Sequence, residues 1–254
     1  MIVVNDIHKS FGEEEILKGI STKFDKGKTN LIIGQSGAGK TVFLKCLLGL
    51  FTPEEGSILY DGQNYSDFSV EEKRELRKQM GMVFQGGALF DSMTVEENVM
   101  FPLRMFTKER KSKLLERVKE VLQRVNLEGA EKKFPSEISG GMQKRVAIAR
   151  GIVNRPKYLF CDEPNSGLDP KTATVIDQLI QEITQEYDIT TIINTHDMNS
   201  VLEIGEKIIF LRKGVLEWSG TKDEIPNSDN EYLTDYVYSS NLFQKVRMAQ
   251  KQGL

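Results

Sequence analysis

The stretch Leu31-Ile32-Ile33-Gly34-Gln35-Ser36-Gly37-Ala38-Gly39-Lys40-Thr41 decides how the rest of the chain is read. Three consecutive aliphatics make a short buried strand. The loop after them fits G-x-x-x-x-G-K-[ST], and Val42, Leu44, Leu47 and Leu48 supply the apolar positions of a helix beyond it. Strand, glycine-rich loop and helix in that order are the setting in which this pattern binds phosphate. Glycines let backbone N–H groups converge on phosphate oxygens, and the helix N-terminus adds a favourable dipole. Gly34, Gln35, Ser36, Gly37, Ala38 and Gly39 are therefore expected to cradle phosphates. Lys40 is expected to reach the β- and γ-phosphates, and Thr41 to hold Mg²⁺.

A second strand ends in acids. Tyr158-Leu159-Phe160-Cys161-Asp162-Glu163 lies some 120 residues after the loop. Strand tips are where ligands bind in an α/β sheet, and adjacent strand residues face opposite ways, so the two acids are expected to differ in role. Asp162 suits the Mg²⁺ shell. Glu163 suits polarising an attacking water. A third strand, Thr190-Thr191-Ile192-Ile193, leads to His196 at its tip. The other histidine, His8, has no such context and is expected to be a solvated strand residue.

Around these elements the chain alternates. Ile2-Val3-Val4, Ile16-Leu17 through Phe24, and Ser57-Ile58-Leu59-Tyr60 favour strands, with Asp25-Lys26-Gly27-Lys28 and Asp61-Gly62 as turns. Residues 69–79 pattern as a helix and Met80 to Phe84 as a strand. From about 91 to 155 only helical patterns occur, the clearest from Lys108 to Val125. After residue 158 strand and helix alternate again, with a helix over 170–187 and two strands flanking Lys213-Gly214. The expected fold is an α/β core with a helical subdomain about 86–155 and a small antiparallel β layer at the front. One domain over 1–226 and a helical C-terminal extension over 227–254 are expected, the latter from Tyr232, Leu233, Tyr236, Val237, Leu242, Phe243 and Val246 at helical spacing. That extension either packs on its own domain or crosses to a second subunit.

Composition narrows the function. The 254 residues hold 34 Lys+Arg against 37 Asp+Glu, a net charge of −3, which argues against a broad grip on nucleic acid. Hydrophobic residues at 39% and charged residues at 28% are those of a globular protein, not a disordered one. Cys46 and Cys161 both sit in apolar runs and are expected to be reduced, buried thiols. No secretory signal and no run of 18 apolar residues is present, so any service to a membrane is expected to go through a partner.

The phosphate loop 34–41, Gln85 after a strand, Ser139-Gly140-Gly141, Asp162-Glu163, Ser166-Gly167-Leu168-Asp169 and His196 follow the order seen in ATP-binding cassette (ABC) ATPases. The chain resembles that family from about residue 1 to 220. The resemblance implies ATP and Mg²⁺ as cofactors and a homodimer with nucleotide sandwiched between two copies. It implies that Gln85 contacts Mg²⁺ and the attacking water and senses a membrane partner, and that His196 is a switch at the γ-phosphate. Ser139, Gly140 and Gly141 would cap the γ-phosphate held by the opposite copy, and Phe11 would stack on adenine, unless it is a core aromatic. By the same resemblance, Glu163, His196, Gln85 and Lys40 form the catalytic set and Thr41, Gln85 and Asp162 the metal set.

Two departures narrow the resemblance. Met142 stands where the signature usually carries glutamine, and Gln85 is followed by Gly86-Gly87-Ala88-Leu89-Phe90-Asp91. Both are similar to the Mla- and Mce-associated lipid-transport ATPases. That implies a transmembrane permease, an Mce-like lipid-binding subunit, phospholipid as cargo, and a place on the cytoplasmic face of the inner membrane. Another solute, or a non-transport role on nucleic acid or protein, stands as the alternative. Leu89, Phe90 and the apolar run Val99-Met100-Phe101-Pro102-Leu103 are expected either to form a groove for a permease helix or to pack the helical subdomain. Asn165 also departs from the commoner residue after Glu163-Pro164.

Overall fold

The computed structural model describes residues 1–239. These fall into two compact units. The first takes Met1–Asp25, Thr29–Asp67 and the chain from Asn194; the second takes Lys26–Lys28 and Phe68–Ile193.

In the first unit β1 (Ile2–Phe11) and β2 (Glu14–Phe24) form a long hairpin. β4 (Glu55–Tyr60) pairs on the other edge of β1 and carries the two-residue β5 (Gln63–Asn64), giving the order β2-β1-β4-β5, all antiparallel. Inward positions Ile2, Val4, Ile7, Leu17, Ile20 and Phe24 are buried and alternate with exposed residues, as a sheet with one wet face requires. β3 (Thr29–Ile33) is buried throughout and pairs in parallel with β9 (Lys207–Arg212), which in turn pairs antiparallel with β10 (Val215–Gly220). β3 runs into the glycine loop and then α1 (Lys40–Leu47), with Leu48 as its C-cap. The unit closes with α7 (Met198–Ile204) and α8 (Glu231–Val237).

The second unit has the strand order β8-β7-β6, with β6 (Met80–Val83) and β7 (Tyr158–Asp162) parallel and β8 over Thr190–Asn194. α2 (Val70–Lys78) precedes β6. Between β6 and β7 lie α3 (Val95–Phe106), α4 (Lys111–Arg124) and α5 (Gly140–Ile152), with no strand among them. α6 (Pro170–Glu186) follows β7. Start signals in the sequence explain these helices. Ser69 and Thr94 close full capping boxes with Glu72 and Glu97, and Asp169 caps α6 just before Pro170.

Cys46 and Cys161 are buried and unpaired by disulfide. Burial pushes the Cys46 thiol up to about 11 and the Cys161 thiol further still, so both are inert neutral groups at physiological pH. His8 lies in β1 in contact with solvent, as expected, and has two acidic partners. Its ring nitrogens face Glu15 at 2.8 Å and Asp6 at 3.5 Å, and the hydrogen bond to Glu15 raises its pKa. Asp6 precedes it by two residues on β1, and Glu15 reaches it from β2, where the hairpin register pairs Glu15 with Ser10. Of the expected C-terminal extension, Tyr232, Leu233, Tyr236 and Val237 lie in α8; Leu242, Phe243 and Val246 lie outside the described residues.

Candidate functional site

In the first unit α1 begins at an N-cap, Gly39, whose φ of 98° suits glycine, and a Cβ there would fall 2.9 Å from Leu17. No side chain caps α1 and its first turn holds no acid, so its leading N–H groups are not taken up by the protein's own carboxylates. Lys40 Nζ donates to the carbonyl oxygens of Gly34 (2.7 Å) and Gln35 (3.1 Å), and Ala38 N–H donates to Gln35 at 3.1 Å. The loop is thus curled around its own lysine. Gln35, Ser36, Gly37 and Thr41 are exposed. His196 is exposed at the end of β8. The N–H of Thr195 beside it donates to Ile32, two residues before Gly34, so histidine and loop share one end of their strands. Phe11 is not a core aromatic: it is 47% exposed at the end of β1 and packs edge-on against Phe51 at 5.2 Å. An exposed ring of this kind can stack on a base.

The second unit gathers the acids. Asp162 is the last residue of β7 and Glu163 opens the turn that follows. Glu163 has φ 48°, a left-handed conformation costing a non-glycine residue about 1–3 kcal/mol. The turn is held by Ser166 N–H donating to Glu163 (3.2 Å) and Leu168 N–H donating to Asn165 (3.3 Å). Asn165 is buried and donates to the buried Asp177 carboxylate of α6 at 3.1 Å, which gives this unusual residue a structural reason. Gln85 donates its amide nitrogen to Glu163 Oε2 at 2.7 Å, so the two are brought together as the motif order implies. The amide oxygen of Gln85 is then the end that can turn to a cation. Asp162 and Gln85 in the second unit, and Thr41 in the first, each carry a hard oxygen donor of the kind Mg²⁺ takes. No cluster of three or more His, Cys, Asp or Glu exists among the described residues.

Ser139 is the N-cap of α5 and its hydroxyl accepts from Met142 N–H at 3.3 Å. Ser139 and Gly140 are exposed and Gly141 half-exposed. The first turn of α5 carries no acid, so its amides can meet an anion.

The sequence model of the ABC transporter family matches residues 17–166. The chain belongs to this family. It is 41% identical over 236 residues to the probable ribonucleotide transport ATP-binding protein mkl of Mycobacterium leprae, covering 93% of this chain and 68% of that protein. It is 43% identical over 211 residues to the methionine import ATP-binding protein MetN of Clostridium tetani, covering 83% of this chain and 66% of that one. It is 37% identical over 257 residues to the chloroplastic protein trigalactosyldiacylglycerol 3 of Arabidopsis thaliana, covering 94% and 74%. The chain thus spans about two thirds of the length of mkl and MetN. Among solved structures, the dimeric bacterial ABC transporter cassette MJ0796 aligns with TM-score 0.79 at 33% identity, covering 87% of this chain and 99% of that one. A post-hydrolysis state of MJ0796 bound to ADP and Pi aligns with TM-score 0.78 at 32% identity.

The cassette also uses residues that sequence reading passed over. The loop after Gln85 is tied down by three buried polar side chains. Lys144 of α5 donates to the Gln85 carbonyl and, at 3.3 Å, to Ser166. Arg150 donates to the carbonyls of Gly87 (2.6 Å) and Ala88 (2.7 Å). Asn98 of α3 accepts from Phe90 N–H at 2.8 Å and donates back to the Phe90 carbonyl at 3.1 Å. Burial lowers the pKa of Lys144, opposed by the Glu163 charge; burial alone lowers that of Arg150, which stays a cation. Positive side chains at i and i+6 on a helix pattern as solvated residues. Only the loop that folds over them shows otherwise.

Proposed function

We propose that this cassette is the Mg²⁺-dependent ATP-hydrolysing subunit of a multi-chain transporter that moves phospholipid between membranes. It works as a homodimer in which Ser139, Gly140 and Gly141 of one copy meet the γ-phosphate held by the other. The observation that carries the catalytic reading is the Gln85–Glu163 hydrogen bond of 2.7 Å, made from a loop that Lys144, Arg150 and Asn98 hold in place. On ATP binding, Lys40 reaches the β- and γ-phosphates, and the α1 amides complete the cradle. Thr41, Asp162 and Gln85 would each offer an oxygen to Mg²⁺, which would supply charge neutralisation. Glu163 takes the developing proton of a water that attacks the γ-phosphorus in line, and the bond to the β-phosphate oxygen breaks. His196 fixes the γ-phosphate, and Phe11 stacks on adenine. Glu163→Gln is expected to cut hydrolysis at least about a hundredfold while ATP still binds and holds the dimer closed. Normal turnover in that variant overturns the assignment.

The coupling reading rests on the same loop. Phe90 is 40% exposed and its ring lies 4.8 Å from that of Phe101 on α3, with Phe84 and Met105 also exposed nearby in the chain. We infer that this apolar surface receives a permease helix, so that its motion passes through the tethered loop to Gln85 and Glu163. The cassette would then sit on the cytoplasmic face of the inner membrane through that permease, with an Mce-like lipid-binding subunit in the same complex. No described helix is long and apolar enough to cross a membrane. Phospholipid as cargo is supported by Met142, by Gly86 to Phe90, and by a relative whose name contains a galactolipid. The 43% identity to a methionine import protein favours, as the second reading, a small solute. Native purification from membranes, identifying co-purifying chains and lipid together, tests both. Leu89→Asp or Phe90→Asp is expected to abolish recovery of the permease while leaving ATP binding intact. A complex that survives these changes places the groove elsewhere, and one recovered without lipid favours the solute reading.

A further inference from the structure

Glu163 keeps a backbone conformation that its own chemistry opposes. Its φ of 48° is left-handed for a non-glycine residue, while Pro164 pushes the residue before it toward extended backbone with φ of about −120°. Such a conformation persists only where the chain on both sides is fixed. Before Glu163 the fixing is β7, whose Cys161 pairs in register with Val83 of β6. After it, Pro164 and Asn165 are both buried. The proline ring locks its own φ and so joins Glu163 stiffly to Asn165. The Asn165 amide donates to the two carboxylate oxygens of Asp177 at 3.1 and 3.4 Å, and Asp177 shares the buried face of α6 with Ala173 and Ile180. The Asn165 carbonyl in turn accepts from Leu168 N–H at 3.3 Å, so the same residue also closes the turn.

We propose that Asn165 is a positioning residue for Glu163: its amide, seated on Asp177, anchors the far side of the turn and keeps the Glu163 carboxylate where Gln85 meets it. Gln85 donates to Glu163 Oε2 at 2.7 Å, so the carboxylate is held at its tip while Asn165 and Asp177 hold the backbone beneath it. Without the anchor, Glu163 relaxes toward negative φ and its side chain turns away from that place. Ser166, whose hydroxyl donates to the Gln85 carbonyl at 3.2 Å, still ties the turn to the loop, so the loss is partial. Two apolar side chains of the same shape would pack the buried place of Asn165 and Asp177 about as well. What only the amide and the carboxylate supply is a fixed direction for the turn.

This rests on the reading of Glu163 as the carboxylate that serves the attacking water, and the experiment separates the two. In the full-length chain, Asn165→Leu takes two hydrogen bonds away from the buried Asp177 carboxylate, and the Tm is expected to fall by about 5 °C. At a temperature where the variant is fully folded, kcat for ATP hydrolysis is expected to fall about tenfold with KM unchanged, since loop 34–41 still holds the phosphates. Asn165→Leu combined with Asp177→Leu leaves no carboxylate buried there. This pair is expected to regain part of the Tm while kcat stays about tenfold down. If kcat instead recovers along with the Tm, Asn165 and Asp177 are packing residues and the proposal is overturned. In a Glu163→Gln background, adding both leucines is expected to change the residual rate by less than about twofold, because the anchor then has no carboxylate to position. A further tenfold fall there shows that Asn165 acts apart from Glu163, and overturns its role alone. Normal turnover in Glu163→Gln by itself overturns both readings.

Discussion

The N-termini of α1 and α5 are both proposed to meet phosphate, yet they are built differently. α1 starts at a glycine, has no side-chain cap and no acid in its first turn. α5 starts at Ser139, which accepts from its own Met142 N–H. An uncapped helix start leaves donors for a ligand and depends on that ligand for their satisfaction. A capped start is stable alone and gives a ligand only the remaining amides. The first suits a site that holds ATP throughout the cycle. The second suits a surface that meets the phosphate of another copy only when two cassettes close.

Of the two termini, the larger effect is expected from filling the open one. Val42→Glu puts a carboxylate in the first turn of α1, where it interacts favourably with the helix dipole and unfavourably with phosphate. ATP affinity is expected to fall about tenfold by equilibrium titration, while the nucleotide-free Tm matches or exceeds that of the neutral control Val42→Gln. If Glu and Gln bind ATP equally well, the α1 terminus is not where phosphate sits, and the contrast with α5 loses one side.

Both termini were legible in the sequence because each signal is local. The glycines, Lys40 and Thr41 fall within eight residues, and Ser139 lies directly before its helix. Asp162 and Glu163 were legible for the same reason, one apolar run ending in acids. What the sequence concealed are groups whose partners lie far along the chain. Lys144 meets Gln85 across 59 residues and Arg150 meets Gly87 across 63; both are cations on a helix whose other buried positions, such as Val146, Ile148 and Ile152, are apolar. Tyr236 reaches Gly34 across 202 residues. Within its own segment it fits the helical spacing of Leu233 and Val237 and reads as one more packing position. Asn165 made sense only once α6 had delivered Asp177 to it. His8 is a solvated strand residue as its sequence context suggests, but its partner Glu15 was not legible, because Glu15 pairs with Ser10 in a hairpin whose register shifts between Ile7 and His8 and between Lys9 and Ser10. Period-two alternation alone does not predict such shifts.

A smaller effect, at Ser139, decides whether the second terminus has a function beyond capping. Ser139→Ala removes the acceptor for Met142 N–H and is expected to lower stability by about 1 kcal/mol, a fall in Tm of about 2–4 °C for a chain of this size. Its ATPase rate is expected to fall about threefold at a temperature where the variant is fully folded. Ser139→Asp separates the two roles. Aspartate is as good an N-cap as serine, so the Tm is expected to return to that of the parent. Its charge faces the phosphate of the other copy when two cassettes close, so the ATPase rate is expected to fall below that of Ser139→Ala, while ATP binding to a single copy, which uses α1, stays unchanged. If the rate instead recovers together with the Tm, Ser139 is a helix cap and nothing more. Closure of the pair on nucleotide would then have to rely on the amides of Gly140 and Gly141 alone.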